Sequence, residues 1–168
     1  MKSEIYWING PWPGRLAIMS RPRSGDWLQD EIKAWKAEGV EVVVSLLDDE
    51  EIKELGLAEE PEIVSHTGME FIAFPIRDRE VPESSRSTED LLRKLENALS
   101  DGRRVAVHCR AGIGRSAIIA ASLVALSGSD VGSAFKVIAE ARGCSVPDTP
   151  EQQNWVERFV RDIATPTR

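Results

Sequence analysis

The sequence predicts a single α/β domain with a mostly parallel central sheet flanked by helices. Three observations carry that expectation. Short apolar runs recur along the first two thirds of the chain, several near-continuously apolar, as strands buried on both faces of a parallel sheet tend to be. Stretches with apolar residues at helical spacing lie between them. After the last run the pattern turns wholly helical.

Taken in order, Ile5–Ile8, Leu16–Met19, Val40–Leu47, Phe71–Ile76 and Arg104–Cys109 read as strands. Between the second and third, Leu28, Ile32 and Trp35 fall on one helical face. Leu91, Leu92, Leu95 and Leu99 do the same before the fifth strand, after a Ser87-x-x-Asp90 start that resembles a capping box with Asp in place of Glu. Three helices close the chain, at Arg115–Leu126, Val131–Ala141 and roughly Pro150–Ile163, with Pro150 in a first turn where its missing N–H does no harm. No internal repeat, low-complexity tract or linker interrupts this order. The one long polar connection in the middle is "RDREVPESSRST" at 77–88, and loops of that kind often carry function.

At 168 residues, 42% hydrophobic and 29% charged, the chain supports one ordinary core, so residues 1–168 are expected to form one domain. The net charge of -7 argues against a nucleic-acid binder or a protein held on acidic membranes, because such proteins depend on Lys and Arg contacts to phosphates. No apolar run approaches the ~20 residues of a membrane span, and Ile5–Ile8 falls short of the about 7–15 residues of a signal-peptide core. A cytoplasmic monomer is the expectation. Two cysteines, Cys109 and Cys144, cannot form a disulfide framework. An unpaired cysteine among polar residues in a reducing compartment then raises the question of reactivity.

That question centres on "AVHCRAGIGRSA" at 106–117. A strand ends at Cys109 and a helix begins near Gly114, so "CRAGIGR" is a strand-to-helix turn. Its amides face the space ahead of a helix N-terminus, where unsatisfied N–H groups and the helix dipole both favour an anion. Gly112 and Gly114 are expected to curl the backbone with positive φ and to approach a ligand closely. Arg115 can fold back and offer a planar fork to two phosphate oxygens, which a lysine cannot match. The same groups would stabilise a Cys109 thiolate. A buried structural cysteine beside an ordinary glycine turn is the plainer alternative, but His, Cys, two Gly, Arg and Ser at these offsets weigh against it. The nucleotide-binding loop fits poorly, since neither its leading glycine nor its lysine is present.

"HCRAGIGRS" resembles the H-C-x5-R-[ST] signature of the cysteine-dependent protein tyrosine phosphatase superfamily. The resemblance implies that Cys109 is the nucleophile that becomes phosphocysteine and that Arg115 binds the phosphoryl oxygens and stabilises the transition state. Ser116 would assist breakdown of the phosphoenzyme, and His108 would help hold the thiolate. The substrate cradle would run through His108, Arg110, Ala111, Gly112, Ile113, Gly114 and Arg115. No metal and no cofactor is implied.

A leaving alkoxide or phenoxide needs a proton donor, and a later water needs a base. Phe74-Pro75-Ile76-Arg77-Asp78 resembles the general-acid loop of short dual-specificity members, which places the acid on Asp78; Glu80 and Glu83 fit the spacing less well. "WPGRLA", "VVVSLLDDEE", the acid loop, the cysteine loop and "DTPEQQNWVERF" occur in the order found in small atypical dual-specificity phosphatases and the cyclin-dependent-kinase-associated phosphatase. By the same resemblance Gln152 would position the hydrolytic water, whereas alone it would read as a solvent-facing helix residue. No aromatic phosphotyrosine-clamping loop is found, and the only tyrosine is Tyr6.

Arg77, Arg79, Arg86 and Arg110 would surround the pocket, with Arg21 and Arg23 as a further wall. The implied substrate is a phosphorylated protein or another phosphomonoester. A phosphoinositide, a phosphoglycan and a weakly catalytic phosphate-binding module are the alternatives. The extra lysines usual in the cysteine loop of lipid-directed members are absent here, and a mere reader would need neither thiol nor acid.

Overall fold

Parallel pairing dominates the computed structural model, which describes residues 4–164; residues 1–3 and 165–168 of the expected 1–168 domain lie outside it. The elements are β1 (Ile5–Ile8), β2 (Arg15–Met19), α1 (Leu28–Ala37), β3 (Val42–Ser45), α2 (Asp49–Leu55), α3 (Glu60–His66), β4 (Glu70–Ala73), α4 (Ser85–Ser100), β5 (Arg104–His108), α5 (Arg115–Leu126), α6 (Val131–Arg142) and α7 (Pro150–Ala164). The sheet order is β1-β2-β5-β3-β4. Among the described residues only β1 and β2 pair antiparallel; β5 runs parallel to β2 on one side and to β3 on the other. The carboxyl ends of β2, β5, β3 and β4 therefore open onto one edge, where open α/β sheets place their ligands.

Side-chain alternation along β5 sorts the two layers. Val105, Val107 and Cys109 join the cluster that includes Leu91, Leu92, Leu95 and Leu99 of α4, the apolar residues of α5, and Trp155, Val156 and Phe159 of α7. Ala106 joins the opposite cluster with Leu28, Ile32 and Trp35 of α1 and Val64 of α3. His108 shares that second face, its ring centroid 6.0 Å from that of Trp35. The α5 helix is apolar on nearly every side and is buried from Arg115 to Ala125, packed against the sheet, α4, α6 and α7. Among the described residues no helix is long and apolar enough to cross a membrane.

The structure departs from the sequence expectations at several boundaries. β3 and β4 are shorter than the apolar runs Val40–Leu47 and Phe71–Ile76; just beyond them Leu46, Leu47 and Ile76 are buried, with the Leu46 N–H donating to the His108 carbonyl and the Ile76 N–H to the Leu46 carbonyl. The fourth helix starts at Ser85, with Ser84 as its cap: the Ser84 hydroxyl accepts from the Ser87 N–H, so Ser87 is the donor inside the first turn. Two helices, α2 and α3, were not expected. Each has seven residues, too few to display a helical period. Asp48 opens α2 with a capping box closed by Glu51, and Gly56 at φ 68° ends it.

Candidate active site

The cysteine loop leaves the central strand β5 and enters the central helix α5, so both of its ends are anchored in the core. Cys109 is buried; its Sγ lies 3.2 Å from Ser116 Oγ and accepts from the Gly112 N–H at 3.3 Å. Gly112 has φ +72°, and a Cβ there would stand 2.8 Å from the Met19 carbonyl, so glycine is required both by conformation and by the backbone of β2 behind it. Gly114 differs from the sequence expectation: its φ is -91°. The constraint there is space, since a Cβ would meet Asp148 Oδ2 at 2.3 Å and Gln152 Nε2 at 3.1 Å.

Around this turn Arg110 and Ala111 are exposed, Ile113 is half-buried and Gly112 and Gly114 are buried. The Arg110 carbonyl accepts from the Arg21 N–H at 3.2 Å, which ties the chain after β2 to the loop. From the other side Arg142, at the end of α6, donates through Nε to the Gly112 carbonyl and through Nη2 to the Ala111 carbonyl, both at 3.2 Å. Its guanidinium lies 4.3 Å above the Tyr6 ring. With these carbonyls turned outward, the peptide units of the turn can present N–H groups inward.

Arg115, the first residue of α5, is 2% exposed and saturated with acceptors. Nη1 donates to Glu51 Oε1 at 2.5 Å and to the Ile76 carbonyl at 2.8 Å, with the Leu46 carbonyl at 3.5 Å. Nη2 donates to Glu51 Oε2 at 2.9 Å and to Asp78 Oδ1 at 3.1 Å. Burial alone would lower the affinity of this guanidinium for its proton, but the Glu51 hydrogen bond and the charges of Cys109, Glu51 and Asp78 raise it above the ordinary arginine value. Arg115 is therefore a fixed cation at any working pH.

His108 is fully buried on the far face of β5. Its Nε2 faces Glu60 Oε2 at 2.6 Å and its Nδ1 faces the Cys109 carbonyl at 3.2 Å, so it touches the Cys109 backbone and not its sulfur. Burial pushes the imidazolium down, yet the charge and hydrogen bond of Glu60 and the Cys109 carbonyl hold it above the ordinary histidine value against the repulsion of Arg115. Gln152, solvent-facing on its own sequence context, is fully buried. Its Oε1 accepts from the Asp148 and Thr149 N–H groups, and its Nε2 donates to the Glu80 carbonyl at 3.1 Å, which joins the start of α7 to the loop after β4.

The structure thus gathers Cys109, Ser116, Arg115 and Asp78 at one edge, with Gln152 against the same loops. The rim is less uniform than the sequence suggests. Arg77 lines a groove of about 270 Å³ whose other walls include Asp48, Asp49, Glu50 and Glu83. Arg23 is ion-paired, its Nε 2.9 Å from Glu31 Oε1. Arg79 adopts φ 63°, a left-handed conformation next to Asp78. Three residues escape sequence reasoning: Glu51, Glu60 and Arg142. Glu51 does carry a signal, since D-x-x-E announces a capping box, but the same pattern gives no hint that the carboxylate also grips an arginine of α5. Glu60 and Arg142 look like ordinary helix-end charges.

A cysteine at the end of the central strand, a glycine turn into a buried helix and a forked arginine beside the Asp78 carboxylate together have the arrangement of a cysteine-loop phosphatase. Comparison with known proteins gives the family. Residues 17–129 match the family described as "Polymorphic toxin system, DSP-PTPase phosphatase", and the chain belongs to it. The chain is 30% identical over 158 residues to the 197R protein of Invertebrate iridescent virus 6, whose name assigns it provisionally to the tyrosine phosphatases. That match covers 92% of this chain and 56% of the viral one, and the chain likewise spans less than two thirds of the other curated relatives it matches. Among solved structures, kinase associated phosphatase with serine at its catalytic-site cysteine superposes with a TM-score of 0.89 at 19% identity, covering 99% of both chains. Tk-PTP in its active form superposes with a TM-score of 0.77 at 25% identity, covering 94% of this chain and 96% of that one. The fold is that of the phosphatases it superposes on, and the family that of the DSP-PTPase phosphatases.

Proposed function

We propose that this chain hydrolyses phosphomonoesters on proteins, phosphotyrosine first and phosphoserine or phosphothreonine in addition, through a phosphocysteine on Cys109. The observation that carries the reading is the convergence on one sheet edge of a sulfur held by a hydroxyl and an amide, a fixed guanidinium, and a carboxylate touching that guanidinium. The Cys109 thiolate attacks phosphorus, an S–P bond forms, and the P–O bond to the leaving group breaks. Arg115 and the loop amides hold the non-bridging oxygens, where charge accumulates. Asp78, carrying a proton, gives it to the leaving oxygen. In the second step Asp78 takes a proton from water as that water attacks phosphorus and the S–P bond breaks. Ser116 donates to the departing sulfur, and Gln152, once its amide releases the Glu80 carbonyl, orients the water.

The deciding experiment measures p-nitrophenyl phosphate and phosphotyrosine-peptide hydrolysis in excess EDTA, with and without vanadate. Turnover that survives EDTA and is stopped by vanadate supports the reading. Turnover that vanishes with the chelator and returns with a divalent ion overturns it. Cys109→Ser should retain phosphopeptide binding and lose turnover.

A further inference from the structure

Glu60 lies on α3, on the opposite side of the sheet from the reacting sulfur, and touches no group of the proposed reaction. Its carboxylate is nonetheless 2% exposed and hydrogen-bonded to the one histidine that abuts the nucleophile. A backbone carbonyl can only accept, so the nitrogen facing the Cys109 carbonyl carries a hydrogen. The other ring nitrogen faces an acceptor as well when Glu60 is ionised. Both nitrogens then carry hydrogen, and the ring is an imidazolium.

We propose that Glu60 is a positioning residue for Cys109: it holds His108 as a doubly donating cation, which pins the Cys109 carbonyl away from the anion cradle and sets a positive charge beneath the thiolate. The inference rests on the phosphatase reading for its use, but its geometry is independent of it. The groups facing His108 are Glu60 from α3, Arg115 from α5, the Cys109 carbonyl that follows it in the chain, and the uncharged Trp35 ring from α1. Arg115 opposes the imidazolium, and its own charge is already shared between Glu51 and Asp78. Glu60 is the carboxylate hydrogen-bonded to the ring.

Glu60→Gln separates charge from shape. The Gln amide can donate to Nε2 of a neutral ring while Nδ1–H still reaches the Cys109 carbonyl, so the hydrogen bonds survive and the cation is lost. The readout is alkylation of Cys109 by iodoacetamide, which requires no turnover. At about pH 6, Glu60→Gln should react about tenfold more slowly than wild type, with the gap closing by about pH 9, and Glu60→Asp should recover part of the rate. Identical alkylation profiles for wild type and a folded Glu60→Gln would overturn the proposal, leaving Glu60 a packing residue. Should Glu60→Gln not fold, 15N NMR of the wild type decides: the chain has only 2 histidines, and His66→Asn assigns them. Two protonated nitrogens on His108 at about pH 7.5 support the proposal; a neutral ring there overturns it. A protein that hydrolyses no phosphomonoester yet shows the alkylation difference sinks the phosphatase reading and sustains this one.

Discussion

Asp78 caps the guanidinium of Arg115, its Oδ1 3.1 Å from Nη2. Glu51 and two carbonyls occupy Nη1, and Glu51 also takes the other contact of Nη2. The proposed acid thus rests on the edge of the fork that a phosphoryl group would take, and a bound phosphoryl group must displace it. Side-chain exposure of 49% at Asp78 leaves it room to move.

Asp78→Asn should lower kcat by roughly 10²–10⁴-fold on phenyl phosphate or phosphoserine, and much less on p-nitrophenyl phosphate, whose leaving group hardly needs a proton. Asp78→Ala should bind inorganic phosphate more tightly than wild type, since the competing carboxylate is gone; isothermal titration checks it. Equal kinetic defects across leaving groups would move the acid to Glu80 or Glu83.

Glu51→Ala should destabilise the fold by about 3–5 kcal/mol in denaturant titration, because it strands a buried guanidinium. Arg115→Lys should lose both phosphate binding and rate, since a point charge cannot reproduce the two-pronged contact.

Arg142→Met should lower the melting temperature modestly and reduce kcat/KM on an aryl phosphate on the order of tenfold, through loss of two charge-assisted bonds to the loop carbonyls. An unchanged kcat/KM would mean that the turn holds its shape without the brace.

The His108 pair makes a pH-dependent contribution to stability. Its folded-state proton affinity is raised, so the stabilisation is fully present below the ordinary histidine value of about 6.5 and fades as pH rises through the higher folded value. The melting-temperature advantage of wild type over Glu60→Gln should therefore shrink between about pH 6 and about pH 9. An advantage that grows with pH would reverse the assignment of charge.

Much of this was legible in the chain itself, and the reasons divide by length scale. The five strands and the long helices announce themselves because their burial repeats over several residues, and the cysteine loop because nucleophile, glycines and arginine are contiguous. The partners of those residues are not contiguous. Glu51 is 64 residues from Arg115 and Glu60 is 48 from His108, and nothing local to either glutamate specifies which helix its carboxylate will face. Gly114 illustrates a subtler limit: glycine was expected for its left-handed freedom, whereas the structure needs the missing Cβ, because Asp148 and Gln152 arrive from a distant turn.

Arg115 also ties three separate chain segments together, drawing the Leu46 and Ile76 carbonyls and the α2 carboxylate toward the start of α5. A ligand that engages this guanidinium grips the cross-tie of the whole upper edge of the sheet, not a loop free to order by itself. Oxyanion binding is then coupled to global unfolding, and occupancy at 100 times Kd should raise the unfolding free energy by about 2.7 kcal/mol. The melting curve of the intact domain can thus serve as a gauge of which phosphate-bearing molecules the site accepts, before any of them is turned over.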